Sequence, residues 1–189
     1  VDIDWVDAEE CRNPETTAQR LKDAHGIIVP GGFGVRGIEG MIQAAQYART
    51  HQVPYLGICL GMQIQVIEFA RNVLGMTGAN SSEMDRDTAY PVIDLMPDQN
   101  GVILGGTLRL GKCTLTKGSL AEVAYGSQNI WERHRHRYEF NNKYRKDFEK
   151  SSLHLTGINP ERNLVEIVEL EGHPWMLGAQ FHPEFKSRP

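Results

Sequence analysis

The chain has 189 residues, 40% hydrophobic and 23% charged, with a formal net charge of −4 at pH 7. That balance excludes general attraction to nucleic acid or an anionic membrane, and no run reaches the 18 or more apolar residues of a spanning helix. One domain is expected, burying roughly 70% of its unfolded surface, and three scattered cysteines without a CxxC pair predict a soluble cytoplasmic protein with no disulfide framework and no metal site.

At the amino terminus Val1, Ile3 and Trp5 alternate against Asp2, Asp4 and Asp7, which reads as a strand. There is no initiator Met, so the chain reads as a piece of something longer. Pro14 to Ala24 is a short helix, Gly26 to Val29 a buried strand, and Pro30-Gly31-Gly32-Phe33-Gly34 a loop. Ile38 to Thr50 is a helix with Met41, Ile42, Ala45 and Ala48 at helical spacing. Val53 to Ile58 is a second buried strand, and Gln63 to Leu74 a helix with Val66, Ile67, Ala70, Val73 and Leu74 on one face. Alternating strands and helices predict an α/β fold with a parallel sheet, ligands gathering at the carboxyl ends of the strands. The second half reads as strands at Tyr90–Leu95, Thr107–Thr116, Arg133–Phe140, Leu153–Thr156, Leu164–Leu170 and Trp175–Phe181, with one helix at Asn142–Ser151. These predict a smaller antiparallel extension of the main sheet.

Cys59 lies in Gly57-Ile58-Cys59-Leu60-Gly61, between the second strand and its helix. Gly-x-nucleophile-x-Gly at a strand-to-helix turn presents a strained side chain, the glycines removing Cβ atoms that would clash. The partial positive charge of the helix N-terminus favours thiolate. The candidate base is His182 in Gln180-Phe181-His182-Pro183-Glu184, because residues two apart in extended chain project to one side and let Glu184 orient the imidazole. Gly31-Gly32 and the Leu60 N–H can form an oxyanion hole. Such a set supports thiolate attack on a carbonyl and a covalent acyl intermediate.

Plainer readings stand beside these. A cysteine in an apolar stretch is more often inert core, the role assigned to Cys11 and Cys113. Gly31-Gly32 by itself suits any tight turn, and GGFGVRG lacks the ending of a Walker A loop. Glu132-Arg133-His134-Arg135-His136-Arg137-Tyr138-Glu139, if one strand, puts the three arginines on one face, an arrangement better suited to a small carboxylate than to a polyanion.

PGGFGVRGIEG (30–40), GICLGMQ (57–63), GGTLRLG (105–111), ERHRHRYEFN (132–141) and QFHPEF (180–185) together resemble the glutamine amidotransferase domain of the CTP synthase family, a class I (triad) amidotransferase, across residues 1–189. The resemblance implies a three-layer, flavodoxin-like α/β fold whose open, mostly parallel sheet carries helices on both faces. It implies hydrolysis of L-glutamine to glutamate and ammonia through a glutamyl-thioester, with Cys59 as nucleophile, His182 as base and Glu184 as orienting acid. Gly32 and Leu60, Gly61, Met62 and Gln63 then line the substrate, Glu83 receives its ammonium, and Arg137 holds its carboxylate. No cofactor is implied in this domain. ATP and magnesium belong to a synthetase domain that aminates UTP to CTP in pyrimidine biosynthesis, GTP is an allosteric activator, and the full enzyme, a ligase, is a homotetramer. The family's first strand and helix would precede Val1, and its C-terminal helix would follow Pro189. The alternatives are a γ-glutamyl hydrolase of the same superfamily and a non-catalytic regulatory or assembly module.

Overall fold

In the computed structural model the described residues are 1–95 and 108–187. Residues 105–107 of the glycine motif, and Thr107 of the expected strand, lie outside them. After a 3-10 turn at Ala8–Glu10 the first α-helix is α1 (Pro14–Leu21), which starts where the sequence supplies an N-cap: Asn13 Oδ1 accepts from Thr16 N at 2.9 Å, Thr16 Oγ1 accepts from Asn13 N, and Pro14 fills the first helical position. Then come β1 (Ile27–Val29), α2 (Ile38–His51), β2 (Tyr55–Ile58) and α3 (Leu60–Asn72). Two residues of β3 (Asn80–Ser81) and β4 (Pro91–Leu95) follow, and after the undescribed segment β5 (Arg109–Leu115), α4 (Leu120–Tyr125), β6 (Asn129–His134) and β7 (Tyr138–Phe140). The chain closes with α5 (Arg145–Phe148), β8 (Leu153–Asn159), β9 (Leu164–Leu170) and β10 (Met176–Ala179).

Seven strands form the main sheet in the order β1-β2-β10-β9-β8-β5-β6, and β3-β4-β7 form a second, small sheet. β1, β2 and β10 are mutually parallel, with Val29 opposite Gly57 and Gly57 opposite Gly178. From β9 outward every pairing is antiparallel. The α/β class is the expected one, and the antiparallel extension is larger than expected. Successive strand residues face opposite sides, so Met176 joins the cluster under α2 and α3 while Leu177 joins a second cluster with Ala121 of α4. Helices therefore cover both faces.

α3 departs from the amphipathic expectation. Every residue from Leu60 to Ala70 is buried, whereas Val73, expected on its apolar face, is 43% exposed just past the helix end. The polar residues of so enclosed a helix need partners. Glu68 takes the Arg49 guanidinium of α2 at 2.7 Å, tying the two helices together. Three further expectations fail, the first being one helix in the second half, where α4 stands besides α5. Val1 to Trp5 form no strand and are exposed, since no neighbouring strand covers their apolar face. The expected single strand Arg133–Phe140 is broken, because the chain passes from the main sheet (β6) to the small one (β7) across residues 135–137. The expected strand ends otherwise hold to within a few residues.

Candidate active site

The three parallel strands end side by side, and each end carries one part of the site. β1 runs into Gly31-Gly32, β2 into Cys59, and β10 into Gln180 and His182. Cys59 is locked at φ 52°, a positive value that a non-glycine residue holds only when its surroundings enforce it. Its N–H donates to Ala179 O at 2.7 Å, joining the turn to β10, and the Tyr55 hydroxyl donates to Gly61 O at 2.8 Å beneath it. The flanking glycines are steric necessities: a Cβ on Gly57 would sit 2.5 Å from the Gly61 carbonyl, and one on Gly61 would sit 2.1 Å from Val29 O.

His182 leaves β10 with its N–H donating to Arg133 O at 2.8 Å, so the edge of β6 anchors it. Its Nδ1 lies 2.6 Å from Glu184 Oε1, and its ring is stacked on Phe185 at 4.5 Å between centroids and 7° between planes. Nε2 is buried and makes no hydrogen bond. The ring and the cysteine flank one space, since a methyl group added to Gly31 would touch both His182 Cε1 (2.7 Å) and Cys59 Cβ (3.6 Å). The thiol meanwhile donates to Arg135 O at 3.9 Å.

Cys59 is buried, as are Cys11 and Cys113, so backbone strain and neighbours distinguish it rather than exposure. Burial pushes the Cys59 thiol up to about 12; the Leu60 N–H and the Gln180 amide act in the opposite direction, and the Glu184 and Glu83 carboxylates reinforce the rise. The expected stabilisation of thiolate at the helix start is thus present but outweighed by desolvation in this resting arrangement.

Glu83, just after β3, and Arg137, just before β7, meet at 3.1 Å. With Gly32, Phe33, Cys59, Gln63, Arg135, His136 and Tyr138 they line a cleft of about 20 Å³, room for roughly one water. Burial raises the Glu83 carboxyl, and Arg137 opposes that rise. Of the residues expected beside the substrate, Gly32 and Gln63 reach this cleft; Leu60 presents its N–H to the sulfur while its side chain packs against Gly32. Met62 packs against Gly178, and the Gly61 Cα faces Val29 O, so both residues are turned to the sheet and not to the cleft. Phe33, 66% exposed, stands at the rim.

Sequence reasoning missed Gln180 and Phe185. Both lie in QFHPEF, and the alternation that links His182 with Glu184 places Gln180 on the same side. It also missed a buried cluster under the β6–β7 crossing. His134 Nδ1 is 3.3 Å from His136 Nε2 and 3.4 Å from Glu166 Oε2, a donor set of the kind metals use. Arg109 Nη2 approaches His136 Nε2 to 2.7 Å, so a guanidinium already supplies positive charge there. A larger groove of about 660 Å³ lies elsewhere, among α4, β8, β9 and α5, lined in part by the ion pair Arg145–Glu149 and by His154 and Glu171, 3.3 Å apart.

The family model of glutamine amidotransferase class-I matches residues 1–189. A CTP synthase of Treponema denticola is 61% identical over 187 residues, which are 98% of this chain and 35% of that protein. One of Rubrobacter xylanophilus is 58% identical over 191 residues, covering 100% of this chain and 35% of that protein. The chain thus spans about a third of the length of these curated relatives. Among solved structures, the Trypanosoma brucei CTPS glutaminase domain with bound acivicin superposes with a TM-score of 0.93 at 40% identity, covering 100% of this chain and 75% of that one.

Proposed function

The chain belongs to the class-I glutamine amidotransferase family, as a glutaminase domain of the CTP synthase kind, and from this premise we propose that it hydrolyses L-glutamine through Cys59, His182 and Glu184. The observation that carries the reading is the convergence at Gly31 of a conformationally strained cysteine and a carboxylate-bound imidazole.

The chemistry follows from the groups in place. The thiol proton moves from Sγ to His182 Nε2, and Glu184 at Nδ1 stabilises the imidazolium. The thiolate attacks the side-chain amide carbon of glutamine, and the oxyanion is received by the Leu60 N–H and the Gly31-Gly32 amides. Collapse breaks the C–N bond as the imidazolium protonates the departing nitrogen, giving ammonia and a glutamyl-thioester. Water, deprotonated by His182, cleaves the C–S bond to release glutamate, and the sulfur regains its proton. The opposed charges of Glu83 and Arg137 suit the α-ammonium and α-carboxylate of a free amino acid. Binding separates that pair and widens the cleft.

In the natural-length protein the ammonia passes to a synthetase domain that uses ATP and magnesium to aminate UTP, with GTP as activator, in a cytoplasmic homotetramer. Among the described residues no helix is long and apolar enough to cross a membrane. In the natural-length protein, Cys59→Ala abolishes glutamine-dependent glutamate release and leaves CTP formation from added ammonia intact. Loss of both, or of neither, overturns the reading and returns Cys59 to a structural role, as in a non-catalytic module.

A further inference from the structure

Resting on the reading of Cys59 as nucleophile, we propose that Gln180 is a further catalytic residue: its amide Nε2–H donates to Sγ and favours the thiolate, and Gln63 fixes which end of that amide faces the sulfur. Gln180 is wholly buried, and its Nε2 lies 3.7 Å from Cys59 Sγ. Its backbone N–H donates to Glu166 O at 2.8 Å, so the side chain leaves from a fixed point at the end of β10.

The orientation is determined by a relay of hydrogen bonds. Tyr138 O can only accept, so Gln63 turns its nitrogen towards it, at 3.0 Å. The second N–H of the same Nε2 donates to Gln180 Oε1 at 3.2 Å. With its oxygen engaged there, Gln180 has its NH2 group left for the sulfur. The reverse orientation would set oxygen lone pairs against Sγ and leave the Gln63 donor unmatched in a buried site, where such a mismatch is costly.

The sulfur needs such a donor. Glu184 from the turn after β10 and Glu83 from the segment after β3 place negative charge near it, and burial opposes ionisation further. Positive and titratable groups facing it are His182 on that turn and Arg135, His136 and Arg137 on the β6–β7 crossing. A neutral amide favours the thiolate without the repulsion that another cation would exert on the imidazolium of His182. With the Leu60 N–H it forms a two-donor cradle for Sγ.

The test is the pH dependence of Cys59 alkylation by iodoacetamide in the natural-length protein, read on the Cys59 peptide by mass spectrometry so that Cys11 and Cys113 do not contribute. Gln180→Leu and Gln180→Met raise the apparent thiol pKa by about one unit, roughly a tenfold loss of thiolate at neutral pH. Gln180→Glu raises it further by setting an anion against the sulfur. Gln63→Leu raises it by less, because the Gln180 amide is then free to turn over. An unchanged profile in any folded Gln180 or Gln63 variant overturns the inference while leaving Cys59 as nucleophile. A wild-type Cys59 that glutamine does not protect from alkylation overturns the nucleophile reading itself, and this inference with it.

Discussion

The parallel strands β1, β2 and β10 and the small sheet β3-β4-β7 supply different halves of the site, by different physical means. The parallel trio is rigid: its strand ends are cross-linked by backbone hydrogen bonds such as Cys59 N–H to Ala179 O, and glycines at 57 and 61 let α3 press onto the sheet. It holds the reacting groups in a strained geometry. The small sheet contributes opposite charges, Glu83 and Arg137, whose mutual ion pair must open for substrate to enter. Chemistry is thus pre-organised in the larger sheet, and recognition is placed where adjustment is cheaper.

If that division holds, variants in the two regions separate kinetically. Glu184→Gln should lower kcat for glutamine hydrolysis by about 10²–10⁴ with little change in KM, since the imidazole loses the group that stabilises its charge. Steady-state glutamate release checks it. Gly61→Ala drives a Cβ into Val29 O and should cost about 3 kcal/mol or more of stability, read from the urea midpoint of the natural-length protein. Wild-type stability in this variant would show the elbow to be looser than described. On the recognition side, Arg137→Lys should raise KM for glutamine by about 10-fold and leave kcat nearly unchanged, because a point charge replaces a planar fork. An effect on kcat alone would move Arg137 into the catalytic half.

The smallest effect concerns the joint between the halves. Burial raises the Glu166 carboxyl to about 8, and burial lowers His134 to about 3. A carboxyl whose folded pKa is raised binds its proton more tightly when folded, so the protection it confers is lost as pH rises from the unfolded carboxylate range through about 8. His134, with its folded pKa depressed, destabilises only as pH falls below its unfolded value near 6.5. Between about 6.5 and 8 the Glu166 contribution therefore stands apart from that of His134. Urea midpoints should decline across that window in the wild type and decline less in Glu166→Gln.

Much of the catalytic half is legible in the chain, because it is local. Gly57, Cys59 and Gly61 lie within five residues, and His182 and Glu184 within three, so turn sterics and strand alternation suffice to find them. Gln180 was within reach of the same alternation. The break between β6 and β7 was not, since Arg133 to Phe140 reads as continuous extended chain and burial does alternate as far as His136. Whether such a segment stays in one sheet depends on partners far away in sequence, here β5 for one part and β4 for the other. The exposure of Val1, Ile3 and Trp5 has the same origin: an alternating pattern describes a strand only if another strand pairs with it.

Sequence by itself determined the nucleophile's turn, the base with its carboxylate, and the alternation of strands and helices, all set by short-range sterics and periodicity. Tertiary structure decided what those groups meet. It fixed the order that places β10 between β2 and β9, the pairing of Glu83 with Arg137 across 54 positions of chain, and the amide relay from Tyr138 through Gln63 and Gln180 to the sulfur. Contacts between distant residues depend on how whole layers pack, and no local pattern encodes that.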